Sequence, residues 1–125
     1  MPAPKSPARR VFLLMQAALA DLPAQYADAL ANVSFAVTRV LPPRERRRRG
    51  ISGTLYGLYE GIPLTHRDSS YDRAVPDRVT LFWGPLMRDF PDDGRLEREV
   101  RNTVYHEIAH YFGLDEEDLH DTRVR

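Results

Sequence analysis

Between Leu96 and Phe112 hydrophobic residues recur every four positions, at Leu96, Val100, Val104, Ile108 and Phe112, and this spacing predicts a long amphipathic helix. Pro91-Asp92-Asp93-Gly94 supplies a turn with two capping acids ahead of it, and Glu97 to Arg101 is a favourable i,i+4 ion pair. Earlier in the chain the period changes from four to two. Val33, Phe35, Val37 and Arg39 alternate with Ser34, Ala36, Thr38 and Val40, which predicts a half-buried strand. Arg78 to Trp83 predicts another, with Val79, Leu81 and Trp83 on one face and Thr80 and Phe82 on the other. Leu55, Tyr56, Leu58 and Tyr59, broken by Gly57 and bounded by Gly53 and Gly61, predict a further strand with a bend or bulge.

At the N-terminus, Phe12, Met15, Leu19 and Leu22 fall on one face of a helix running from about Pro7 to Asp21. Ser6 is its N-cap and Pro7 takes its first position. Pro23 ends this helix and opens a short one through Leu30. Lys5, Arg9 and Arg10 ahead of Val11 to Ala20 also imitate a secretion signal, but Gln16 interrupts the apolar run, so a first helix is the preferred reading. Residues 1–5 read as a flexible tail. Pro42-Pro43 reads as a stop, residues 42–52 as a basic loop, and Gly84-Pro85 as the end of a strand before a short helix over Leu86 to Phe90. Residues from Gly61 to Asp77 read as connection. Helices, a few strands and a final long helix make an α+β fold, and 125 residues suffice for one domain with one core.

Composition narrows the chemistry. Cysteine is absent, so disulfides, thiolate metal sites and cysteine nucleophiles are excluded, and any metal must be held by imidazole and carboxylate. No stretch approaches the roughly 18 apolar residues of a membrane span, so a soluble, cytoplasmic protein is expected. The overall charge is zero but unevenly placed: residues 1–62 carry nine basic and four acidic groups, residues 63–125 nine and fourteen. The acidic half would concentrate a divalent cation, although acids crowded between Asp115 and Asp121 also suit any solvated segment. Four consecutive arginines, Arg46 to Arg49, invite a nucleic-acid reading. Without interleaved aromatics or a recognition helix, such a run is expected to be solvated instead.

The long helix carries His106-Glu107-Ile108-Ala109-His110. At about 100° per residue the two histidines share a face turned away from Ile108. Residues four apart sit about 5–6 Å apart at Cβ, a gap that two imidazoles binding one zinc ion at about 2.0–2.1 Å can span. Glu107, at the edge of that face, is placed to act on a metal-bound water as general base. By composition the pattern would arise about 0.007 times by chance in a chain like this one. Gly113 can adopt the left-handed conformation that ends a helix and lets the chain swing back. Glu116 is then the third ligand by register, with Asp115, Glu117 and Asp118 as neighbouring alternatives and His120 more simply read as a surface group. The sequence His-Glu-x-x-His-x-x-Gly-x-x-Glu resembles the metzincin motif with its third histidine replaced by a carboxylate. None of the 12 residues after Gly113 is Met, so no Met-turn is expected after the motif.

Beyond the motif, several blocks extend the likeness: the break at Asp21-Leu22-Pro23, the Gly57 to Leu64 segment, Pro76 to Phe82, Gly84-Pro85-Leu86, and Thr103 to Leu114. Together they resemble the minimal zincin-like family of small bacterial metallopeptidases. That resemblance implies a compact zincin-like α+β domain with N-terminal helices, a small mixed sheet of three or four strands and a long C-terminal active-site helix. It also implies zinc held by His106, His110 and Glu116, where the family has aspartate, and hydrolysis of a peptide or protein substrate with Glu107 as base. The extended substrate is expected to add to the Arg78 to Trp83 strand, given that strand as an exposed edge. The competing expectation is a non-catalytic domain in which zinc only ties the C-terminal tail to the helix. A monomer is expected. The oxyanion donor is left open among Tyr56, Tyr59, Tyr71, Tyr105 and His66.

Overall fold

A computed structural model describes residues 6–62 and 77–113. The elements run α1 (Pro7–Ala20), α2 (Ala24–Ala29), β1 (Val33–Thr38), α3 (Pro43–Arg49), β2 (Gly57–Glu60), β3 (Asp77–Phe82), α4 (Trp83–Asp89) and α5 (Asp93–Tyr111). This is the expected α+β arrangement, with a three-stranded mixed sheet among the described residues. The order is β1-β3-β2, β3 pairing parallel with β1 and antiparallel with β2.

Capping follows the sequence closely. The Ser6 side chain accepts from the Arg9 N–H at the start of α1, and Asp92 accepts from the Arg95 N–H at the start of α5. Each bond satisfies one of the amide donors that a helix start leaves without a partner. From α1, Val11, Met15 and Ala18 are buried, while Phe12, Leu19 and Leu22 of the expected face are only partly buried, so the helix is as expected and its buried face is turned towards Val11 and Ala18. The buried residues share one core with Leu96, Val100, Val104 and Ile108 of α5 and with Val79 and Leu81 of β3, α5 packing on β3 and β2 and α1 on β1. Each fully buried Leu or Val contributes about 1.5–3 kcal/mol, an upper value because the unfolded chain is already partly collapsed. Tyr105 and Tyr111 fasten the same assembly by donating to the carbonyls of Ala18 and Ala29.

Four sequence expectations are corrected. The basic loop at 42–52 contains a helix, because Pro42-Pro43 acts as a start: Pro42 is the N-cap and Pro43 fills the first position, where a missing N–H costs nothing. Arg46 to Arg49 then occupy the last turn, where cations complement the helix dipole. Gly50 closes it at φ 69°, with its N–H bonded to Arg47 and that of Ile51 to Arg46. By the same logic Gly84-Pro85 lies in the first turn of α4, which begins at Trp83, so Trp83 has left the strand. The third correction concerns β3, which is a central strand: Thr80 and Phe82 are buried as well as Val79 and Leu81. Its hydrogen-bonding edges are already occupied, so it cannot accept an added substrate strand. Finally, Arg101 forms its salt bridge with Asp21, at 2.8 Å, and not with Glu97.

Gly57 is the first residue of β2, and no positive φ marks it as a bulge. It is glycine because α5 lies against it: an added Cβ would sit 2.6 Å from Thr103 Cγ2, 3.2 Å from Leu81 and 3.3 Å from Glu107 Cγ. Gly57→Ala is therefore expected to cost about 1–3 kcal/mol through overpacking. Thr103→Ser removes the nearest methyl while keeping the hydroxyl bond to the Glu99 carbonyl, so the double variant should regain most of that loss. Urea unfolding of the three variants checks this; a double variant no better than Gly57→Ala alone contradicts the contact.

Candidate metal centre

The site is built on the last two turns of α5. The i,i+4 spacing brings the rings of His106 and His110 to a centroid separation of 4.6 Å, inclined at 66°. Both are half-buried, so neither is absorbed into the core. Between them Glu107 is only 6% exposed, pressed beneath β2, and its Oε1 lies 3.2 Å from His110 Nδ1. A hydrogen bond given by Nδ1 to that carboxylate would fix the tautomer and leave Nε2 for a metal.

One ligand atom from each of His106, Glu107 and His110 can be chosen so that all lie within 4.8 Å of one another. In a tetrahedral shell two ligands at about 2.1 Å from one ion stand about 3.4 Å apart, so closure requires side-chain adjustments of at most about 1.4 Å. Imidazole and carboxylate suit zinc, and the residues present fit such an ion. Beyond the histidines, Phe112 is the C-cap and Gly113 has φ 80°, with its N–H on the His110 carbonyl. The expected left-handed turn is thus in place. Glu116, with Asp115, Glu117, Asp118 and His120, lies outside the described residues, as do Tyr71 and His66.

A cleft of about 400 Å³ opens beside His106, between β2 with its preceding residues Leu55 and Tyr56 and the α5 face that carries Asn102, His106 and Glu107. The sequence analysis passed over Asn102 and Glu99, which line it at four and seven residues before His106. Their helical spacing was the available signal. Three of the candidate oxyanion donors can be placed. Tyr105 donates to the Ala18 carbonyl at 3.0 Å, and Tyr59 donates to Asp77 at 2.6 Å. Tyr56 lines the cleft and donates to Asp89 at 2.7 Å.

That last bond belongs to a small network. Arg88 Nε also reaches Asp89, at 2.8 Å. The Arg88 guanidinium, followed by the Tyr56 hydroxyl, holds the Asp89 carboxyl down to about 2. Burial, with Asp89 beside it, pushes Tyr56 up to about 12, so at neutral pH the phenol keeps its proton. Tyr56 also packs its ring against Phe90 at 5.3 Å.

Among known proteins, the family model described as zincin-like metallopeptidase matches residues 30–124. No curated protein matches the chain.

Because the Asp89 carboxyl titrates at about 2 when folded, against an ordinary value of 3.8, the stability it adds is complete above the ordinary value. It is lost as pH falls towards about 2. Urea midpoints of the wild type and Asp89→Asn should differ by a constant amount above about pH 5 and converge between about pH 4 and pH 2. A gap that persists unchanged at the acid end contradicts the pairing.

Proposed function

We propose, from the fact that this chain belongs to the zincin-like metallopeptidase family, that it is a zinc-dependent peptidase acting through His106, His110 and Glu107. The observation that carries the reading is the buried Glu107 carboxylate, which borders an open cleft and stands beside both imidazoles. A metal that only tied down the chain would have no use for a carboxylate in this place, whereas hydrolysis requires one.

His106 and His110 would hold the ion, with Glu116 completing the set. Gly113 ends the helix three residues before Glu116, a stretch of chain that spans at most about 11 Å, and its left-handed turn supports a return towards the histidines. Zinc, when bound, would polarise the scissile carbonyl and lower the pKa of the attacking water towards about 7. Glu107 takes the proton from that water and returns it to the leaving amine. Its burial under β2 keeps the carboxylate fixed during both transfers. The extended substrate lies along β2, which is an edge strand among the described residues and borders the cleft. Among the described tyrosines Tyr56 is the one that lines the cleft, and its hydroxyl would reach the reacting carbonyl once it turns from Asp89.

Glu107→Gln is expected to bind zinc as the wild type does and to lose peptide hydrolysis by at least about 10²-fold. Calorimetric titration with zinc and mass-spectrometric analysis of a peptide library check the two halves. Undiminished hydrolysis removes Glu107 as the base, and lost zinc binding makes it a ligand instead. Glu116→Ala should weaken zinc binding more than Asp115→Ala or Asp118→Ala in competition with a chelator. Equal affinities across the three would remove Glu116 from the ligand set.

A further inference from the structure

A second cavity, of about 250 Å³, adjoins the metal cleft and shares Leu55 with it as a common wall. Leu41 and Pro85, both buried, contribute apolar surface, while Arg46 of α3 and Arg88 of α4 bring two guanidinium groups to it. No carboxylate is among its described lining residues. We infer that this cavity receives an acidic side chain of the peptide substrate, two to four residues from the bond that is cut. The inference rests on the peptidase reading above.

The donor inventory favours it. A guanidinium has five N–H groups. Among the described contacts Arg46 gives one hydrogen bond, to the Gly53 carbonyl, which sets the side chain in place without neutralising it. Arg88 gives Nε and Nη2 to Asp89, which offsets its charge, and Nη2 also approaches Thr54 Oγ1 at 3.4 Å, so Arg88 adds the Nη1 donor while Arg46 supplies the cation. Apolar walls beneath cationic donors suit a glutamate, whose methylenes prefer the walls and whose carboxylate accepts from the rim.

Distance fixes the position along the peptide. Gly57 touches Glu107, and Thr54, which lines the second cavity, is three residues away. Three residues span at most about 11 Å, the length of roughly three residues of extended peptide. A nucleic-acid phosphate chain fits less well. Arg48 is held by Glu45, and Arg49 by Glu45 and Glu60, so α3 does not present its four arginines as one continuous charged row. An open recess with one guanidinium on each of two helices is also unlike a continuous track for a backbone.

The Arg88 side chain is 63% exposed, so the preference is expected to be that of a solvent-screened pair, about fivefold in kcat/KM for glutamate over glutamine. Zinc-loaded protein is incubated with a peptide library that varies four residues on each side of the cut. The best-cleaved peptide is then compared with its Glu→Gln counterpart in the wild type, Arg46→Gln, Arg46→Lys and Arg88→Gln, the readout being the ratio of the two peptides within each variant, from which a loss of stability common to both cancels. The expected result is an acidic preference at one position two to four residues from the cut, expressed in KM. It should fall towards unity in Arg46→Gln and Arg88→Gln and return in part in Arg46→Lys. Cleavage indifferent to acidic residues, or a preference unaltered in both glutamine variants, overturns this inference alone. No metal-dependent cleavage of any peptide overturns it together with the peptidase reading.

Discussion

The contact on which the structure depends is the absence of a side chain at Gly57. With only a hydrogen there, β2 lies directly on α5 at Thr103 and Glu107, closer than any other residue allows. Three things follow from that one approach. Glu107 is covered by a strand and buried, although it belongs to the otherwise polar face of its helix. The cleft acquires its second wall from the residues that lead into β2. Gly57, the first residue of β2, comes to line the cleft together with His106.

The helix and the strand are held by different forces. Buried aliphatic residues of α1 and β3 fix α5 from behind, and two tyrosine hydroxyls pin it to the carbonyls of Ala18 and Ala29. The residues leading into β2 are held by polar contacts: Arg46 on the Gly53 carbonyl, Arg88 near Thr54, and Tyr56 on Asp89. One wall of the cleft thus rests on hydrophobic burial and the other on charge-assisted hydrogen bonds. Charge-assisted bonds also join the cleft to the neighbouring arginine cavity, because Asp89 accepts from both Tyr56 and Arg88.

Most of this was legible where the information is local. The four-residue stripe, the caps at Ser6 and Asp92, the left-handed Gly113 and the convergence of His106 with His110 all follow from spacing within a few turns, and all appear as expected. The failures share a different cause. Pro42-Pro43 and Gly84-Pro85 read as the ends of strands, and a proline that cannot continue a strand also fits the first turn of a helix, a choice that a short window does not make. That β3 is central, that Gly57 faces a helix and that Arg101 turns to Asp21 depend on partners far away in the chain. The same holds for the Tyr56–Asp89–Arg88 network, in which Tyr56 and Asp89 are 33 residues apart and whose members carry no motif. The third ligand, Glu116, was chosen by register in a stretch outside the described residues.

The central claim is that His106 and His110 bind one divalent ion together with carboxylate oxygen. X-ray absorption at the zinc edge of the stoichiometric complex reads that ligand set directly. The account predicts one zinc per chain, in a shell of nitrogen and oxygen at about 2.0–2.1 Å with the outer-shell scattering of two imidazoles. Failure to form a one-to-one complex, or a first shell in which the imidazole signal is absent, would contradict it.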